Sequence, residues 1–384
     1  MRFITANQIF DGNKFLSKGS VIVLDEKGCY SETISSDSID AGKIEVFDGI
    51  ITPGFVNAHC HLELSHLYNQ ISQKTGFVGF AKELMAKRFS FSQEIIAEAM
   101  LIAEAQMWDN GIVAVGDISN AVDSFQYKDQ SEMYYHTFVE LIALNPQLAD
   151  KVIAGGKELQ TKIKNHSSSL VPHAPYSVSL ELMQQIVKHC QENTTLTIHN
   201  QESESENEFF MSGTGRVLEL YAHLNIDISY YKPSGKTSLQ TYLPSLTSDR
   251  NLILVHNTFS SKEDIEFAHR FSKKLFWCLC PNANLFIENT LPDVNLLRAQ
   301  NCKIVLGTDS LASNHSLSVL DELNVLMKNF ELNDTEEVLR WLTSNGAEAL
   351  EMRDKAGQFI KGKNAGINLI RLENKQFAFK RKIV

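Results

Sequence analysis

The sequence has no block of lysine or arginine, and its 36 basic residues are outnumbered by 46 acidic ones, a net charge of −10. That balance disfavours a nucleic-acid backbone as partner and suits a small neutral or cationic substrate. Apolar runs are strand-length, far short of the ~20 residues that a membrane-spanning helix needs. The opening MRFITANQIFDG lacks the basic start and apolar stretch of a secretory signal, so a cytoplasmic location is expected. None of the six cysteines (Cys29, Cys60, Cys190, Cys278, Cys280 and Cys302) lies in a Cys-x-x-Cys pair. Several sit in apolar strands, which predicts reduced core thiols rather than a disulfide framework. Low-complexity linkers and internal repeats are also lacking.

What is present is an alternation. Residues 1–50 read as short strands and turns: RFITA, SVIVLDE and KIEVFDG. From residue 51, strand-length apolar runs alternate with helical stretches, the pattern of βαβ units. Eight strands are predicted: IITPGFVNAH, GIVAVGDI, YHTFVELIAL, SLVPHA, TLTIHN, LILVHN, LFWCLC and KIVLGTD. Helices such as SQEIIAEAMLIAEAQMWDN, SLELMQQIVKHCQEN and TEEVLRWLTSNGAEAL separate or follow them. Eight parallel strands rich in Val, Ile, Leu and Phe predict a closed (β/α)8 barrel over residues 51–351. The tail returns to strands and turns. Residues 1–50 with 352–384 are therefore expected to form one composite β-sandwich domain beside the barrel.

Active sites of such barrels lie at the C-terminal ends of the strands. Strand one ends in His59-Cys60-His61, strand four at His173, strand five at His199 with Glu202 beyond, strand six at His256 and strand eight at Asp309. Of twelve histidines, half fall at or near this one face once His66 is included. Residues i and i+2 of a strand share a face, so His59 and His61 can bind one ion. His199 and Asp309 complete a set of three imidazoles and a carboxylate. Zn²⁺ suits that set, and Fe²⁺ or Mn²⁺ are tolerated. Such an ion lowers the pKa of a bound water toward ~7 and so provides hydroxide.

The stretch PGFVNAHCHLELSHL resembles the strand-one signature of the amidohydrolase superfamily. VPHAPYSVS, TIHNQESESENEFF, LVHNTF, CPNANLFIEN, LGTDSLASNHSLSVLDEL and TSNGAEAL continue the resemblance in order. The branch is that of chlorohydrolases and aminohydrolases, with the adenosine-type, guanine, cytosine and aminodeoxyfutalosine deaminases. The resemblance implies metal ligation by His59, His61, His199 and Asp309. It implies proton transfer by Glu202, orientation of the attacking hydroxide by His256, and acceptance of the water proton by Asp309. Strand four, SLVPHAPYS, lacks the lysine that bridges two ions in binuclear relatives, so one metal is expected.

The expected reaction is release of ammonia from an aminated purine-like ring, with aminodeoxyfutalosine or adenosine types leading. Cyclic-amide opening, dechlorination of another heterocycle, or an inactive ligand-binding barrel are the alternatives. His173 is expected to contact substrate. Glu140, at the end of strand three, either does so or braces a loop, and Glu63 either anchors substrate or caps its loop. KTGFVGFAKELMAKR resembles the segment that covers the pocket, where Phe77 either stacks on a ring or packs in the core. Gly366 stands where the resemblance expects an aspartate. Members of this group often form dimers, so a homodimer is compatible, although no sequence feature marks an interface.

Overall fold

The computed structural model describes residues 1–190, 194–246 and 249–384. Strands β1 (Arg2–Ile9), β2 (Ser20–Leu24), β3 (Tyr30–Ser35) and β4 (Ile44–Pro53) come first. Eight strands follow: β5 (Phe55–Cys60), β6 (Ile112–Ser119), β7 (Tyr134–Leu141), β8 (Ser167–Pro172), β9 (Leu196–Asn200), β10 (Leu252–His256), β11 (Leu275–Leu279) and β12 (Ile304–Leu306). The chain closes with β13 (Ile367–Glu373) and β14 (Gln376–Lys382).

Strands β5 to β8 pair in parallel and in order, as do β9 to β12. Two seams join these halves into a barrel. His199 N–H donates to His173 C=O (3.0 Å) between β9 and the end of β8, and Thr308 N–H donates to His59 C=O (2.9 Å) between the end of β12 and β5. Gly307 is required at the second seam, because a Cβ there would lie 2.7 Å from His59 Cβ. Strands covered on both faces explain the unbroken burial of β5, β6, β9, β10 and β11.

The two ends of the chain share one sheet, in the order β14-β13-β4-β1-β2-β3. Its own core is Ile4, Ile22, Leu24, Ile51 and Leu369. The predicted first strand, IITPGFVNAH, divides here. Ile50 to Pro53 end β4 of the sheet, and β5 of the barrel starts at Phe55. Gly54 makes the joint, its N–H facing the carbonyls of Ala365 and Gly366, each at 3.1 Å. The same joint explains Gly366: its φ is +66°, and a Cβ would sit 2.6 Å from Val113 Cγ1.

β3 was not predicted, because this edge strand (YSETIS) buries no residue fully. TEEVLRWLTSNGAEAL forms two helices, Thr335–Leu342 and Ser344–Ala349, broken at Thr343. SLELMQQIVKHCQEN is helical over Leu180–His189, and its residues 191–193 lie outside the described set. Among the described residues, no helix is long and apolar enough to cross a membrane.

Along β7, His136, Phe138 and Glu140 share one face. His136, near the strand's start, pairs with Ser167 Oγ (3.0 Å) and Ser169 Oγ (2.9 Å) of β8. On the other face of β7, Thr137 Oγ1 meets His166 Nε2 (2.8 Å), whose Nδ1 pairs with Asp129 (2.8 Å). Lys128 reaches the same Thr137 and forms a fully buried ion pair with Asp117.

Candidate active site

Four of the predicted residues meet where the barrel strands end. His61 Nε2 lies 3.2 Å from His59 Nε2 and 3.3 Å from His199 Nε2. Asp309 Oδ1 lies 3.6 Å from His59 Nε2 and 3.5 Å from His61 Nε2. One ligand atom from each of these four residues falls within 4.8 Å of all the others, and all four are buried. Tetrahedral donors at roughly 2.0–2.2 Å from a zinc-like ion would stand roughly 3.3–3.6 Å apart, so the spacing fits one ion. Burial, reinforced by neighbouring imidazoles, holds His61 well below the ordinary imidazole range and His199 at about 4. Their rings are neutral at pH 7, as ligands must be. Burial raises the Asp309 carboxyl, but His59, His61 and His256 outweigh it, and the net shift is downward into the ionised form.

Neighbours aim these groups. His199 Nδ1 pairs with His173 C=O at 2.7 Å. A carbonyl only accepts, so Nδ1 carries the proton and the Nε2 lone pair is free. Ser313 Oγ donates to Asp309 Oδ2 (2.6 Å), which leaves Oδ1 toward the histidines. Leu62 N–H, just past His61, donates to Asp117 (2.8 Å), the partner of Lys128. Three residues here have left-handed backbone: Gln201 (φ 46°), His256 (φ 75°) and Asp309 (φ 54°). Such conformations cost about 1–3 kcal/mol each and persist where surroundings impose them. At Gln201 the surroundings are visible: its N–H donates to Glu206 (3.0 Å), a buried carboxyl that also accepts from Ser238.

Glu202 stands at the same mouth, with Oε1 3.6 Å from His256 Nε2. Burial, with Asp309 and Glu206 nearby, pushes its carboxyl well above the usual range. His61, His173, His199, Glu202, His256 and Asp309 all border a cavity of about 280 Å³. Its outer wall is apolar, built from Phe77, Phe80, Leu84, Leu144, Tyr176 and Ile226. Helix Gly76–Lys87 supplies the first three, and Phe77 also packs against Tyr176 (4.9 Å between centroids).

Glu140 and His173 line the cavity, and His173 Nδ1 is fixed by Ser177 Oγ at 2.7 Å. Glu140, His173 and His199 lie close enough to share an ion. The His199 atom nearest Glu140 is, however, the protonated Nδ1, at 3.7 Å. Glu63 is held behind the wall. Its carboxylate pairs with Arg88 and accepts from Asn120 N–H (3.0 Å). Burial lifts it to about 7 against the pull of Arg88. Arg88 and Asn120 border the cavity instead, and Asn120 Nδ2 donates to Glu140 Oε2 (2.9 Å). Sequence reasoning missed Arg88, Asn120, Ser313 and Asn284. Arg88, Ser313 and Asn284 lie inside stretches already singled out, but nothing in those stretches names their partners. His66 turns away and meets Arg88 C=O at 3.0 Å.

A closed parallel barrel with a three-histidine, one-aspartate cluster and a buried acid at its mouth defines a metal-binding hydrolase. The chain belongs to the amidohydrolase family, whose profile matches residues 50–383, and it is a hydrolase of carbon–nitrogen bonds. It is 26% identical to adenosine deaminase of Helicobacter pylori, over 92% of this chain and 87% of that one. It is also 26% identical to 5-methylthioadenosine/S-adenosylhomocysteine deaminase of Caldicellulosiruptor saccharolyticus, over 94% of this chain and 82% of that one. The crystal structure of Helicobacter pylori aminofutalosine deaminase in complex with methylthio-coformycin superposes with a TM-score of 0.83 at 23% identity, covering 100% of this chain and 98% of that one.

Proposed function

We propose that this chain is a mononuclear metal-dependent deaminase that releases ammonia from an aminated purine-like ring carried by a nucleoside. The observation that carries this reading is a buried carboxyl, Glu202, on the cavity wall beside the histidine–aspartate cluster, its pKa pushed upward by burial. Adding water to an aromatic ring carbon requires an acid beside it to protonate the ring nitrogen.

His59, His61 and His199 through Nε2, and Asp309 through Oδ1, would hold one divalent ion, zinc by preference for a mixed nitrogen and oxygen set. When bound, that ion supplies Lewis acidity and lowers the pKa of water toward ~7. Glu202 gives its proton to the ring nitrogen and draws electrons from the adjacent carbon. Asp309 accepts a proton from the attacking water. His256 faces the oxygen on which negative charge develops. The proton taken up by Asp309 passes to the amino group, the C–N bond breaks and ammonia leaves, while the added hydroxyl becomes the ring carbonyl and returns its proton to Glu202.

The cavity favours an uncharged substituent on the sugar. Its outer wall is apolar, and Arg88, the one lysine or arginine among its described lining residues, is already paired with Glu63. His173 and Glu140 are the polar contacts we assign to substrate, and Glu63 acts through Arg88. The relatives named above, deaminases of adenosine-type nucleosides, support the same class. In this reading residues 1–50 and 352–384 form the composite β domain beside a catalytic barrel of 51–351. The enzyme works in the cytoplasm on small molecules, with a homodimer the assembly to test by sedimentation.

The test is to purify the chain without chelator, measure bound metal, and screen aminated purines and nucleosides for ammonia. About one ion per chain with ammonia from a nucleoside is the expected result. Metal without ammonia, but with ring opening or chloride release from another heterocycle, would replace the deaminase reading. Failure to bind Zn²⁺, Fe²⁺ or Mn²⁺ would end the mechanism.

A further inference from the structure

We infer that Asn284 sets the tautomer of His256, so that His256 presents an N–H to the reacting oxygen and is barred from acting as a fourth imidazole ligand. Only the kinetic part of this inference rests on the proposed deaminase reaction.

Asn284 sits on the short helix Pro281–Ile287, 1% exposed. Its Nδ2 lies 3.2 Å from His256 Nδ1 and 2.8 Å from Thr258 Oγ1, which uses both amide hydrogens. Its Oδ1 has no partner among the described residues. Turning the amide over would leave the buried NH₂ without an acceptor instead. An orphaned carbonyl is the more tolerated of the two defects, so the amide keeps its donor side toward the ring. His256 Nδ1 is then an acceptor, and a neutral ring carries its proton on Nε2. That Nε2 points to Glu202 Oε1 at 3.6 Å, inside the cavity.

His199 makes the contrast. The two rings stack, with centroids 5.5 Å apart and planes 20° apart. His199 gives its Nδ1–H to a carbonyl and keeps an Nε2 lone pair for the metal cluster. His256 receives an amide N–H at Nδ1 and keeps an Nε2 hydrogen. Two adjacent imidazoles are thus held in opposite tautomers, one a ligand and one a donor, by a single backbone or side-chain partner each. Asn284 is a positioning residue in this account, acting only through His256.

The experiment is a long-range proton–nitrogen NMR spectrum of the ¹⁵N-labelled, zinc-loaded enzyme, with the His256 signals identified by their loss in H256Q. The wild type is expected to show a protonated Nε2 and an acceptor-type Nδ1. In N284D the carboxylate accepts from Nδ1 and draws the proton there. kcat should then fall about 10²–10³-fold, the order expected when a histidine is held in the wrong tautomer or an oxyanion donor is lost. KM and zinc content should stay within about twofold. A wild-type ring protonated at Nδ1 overturns the inference, as does N284D with an unchanged tautomer. If N284D does not fold, the wild-type spectrum decides alone. If no nucleoside is deaminated, the spectrum still decides, so this inference and the functional proposal can fail separately.

Discussion

Two groups of histidines lie along the same barrel, and their hydrogen bonding separates them. In the lower group every ring nitrogen has a hydroxyl or carboxylate partner: His136 between Ser167 and Ser169, His166 between Asp129 and Thr137. At the mouth, His61 Nε2 faces His59 Nε2 and His199 Nε2 instead, at 3.2 and 3.3 Å. His136 is as buried as the mouth histidines, so burial alone does not distinguish the groups. The difference is whether polar capacity is used up inside the protein or left pointing at a common centre. A satisfied cluster holds strands together, whereas an unsatisfied one is kept for a ligand.

The largest test of that contrast removes a ligand. Asp309→Ala should lose the bound ion and lower kcat/KM by about 10⁴-fold or more, several kcal/mol of barrier. Metal analysis and assay check both, and chelation of the wild type should reproduce the loss. Next, Glu202→Gln should keep the ion but lower kcat by about 10²–10⁴-fold. If it kept full activity, Glu202 would not be the acid.

The lower cluster should respond the other way. His136→Leu removes one hydrogen-bond partner from each of two serine hydroxyls and should cost about 1–3 kcal/mol of stability in denaturant unfolding, with kcat of the folded fraction within about threefold. A large kcat loss there would erase the distinction.

The smallest effects concern pH and have opposite signs. Burial pushes His136 down to about 3 from its ordinary 6.5. The unfolded chain takes up a proton that the folded one refuses. Its contribution is therefore whole above about 6.5 and is lost as pH falls toward about 3. Glu206 is lifted by burial to about 7 from 4.5, so its contribution is whole below about 4.5 and is lost as pH rises through about 7. Melting curves across pH should show His136→Leu flattening the acid side and Glu206→Gln the alkaline side.

The histidine–aspartate cluster was legible in sequence because strand ends define one face of a barrel, and His59, His61, His199 and Asp309 each end or follow an apolar strand. His136 is also a strand histidine, but it lies at the start of its strand, at the opposite end from the site. What was not legible depends on partners distant in the chain. Glu63 read as a substrate anchor or a loop cap, and nothing nearby announces that Arg88 and Asn120 take up its carboxylate. Asn284 lay within CPNANLFIEN, yet nothing in that stretch shows that the end of β10 brings His256 beside it. The split of the first predicted strand at Gly54 was equally hidden. It depends on Gly366 and Val113 meeting that glycine, and no local pattern encodes such an approach.

The seams of the barrel have a consequence for its lifetime. Both pass through residues of the cluster: His59 C=O closes one, and His199 N–H with His173 C=O closes the other. Three of the four cluster residues, His59, His61 and His199, thus lie in or just past the strands that border a seam, and Asp309 follows β12 across from β5. An ion seated there would act as a clasp between the two half-barrels, fastening the first strand to the last. Its departure should therefore hasten unfolding and proteolytic nicking more than it changes the shape of the folded protein.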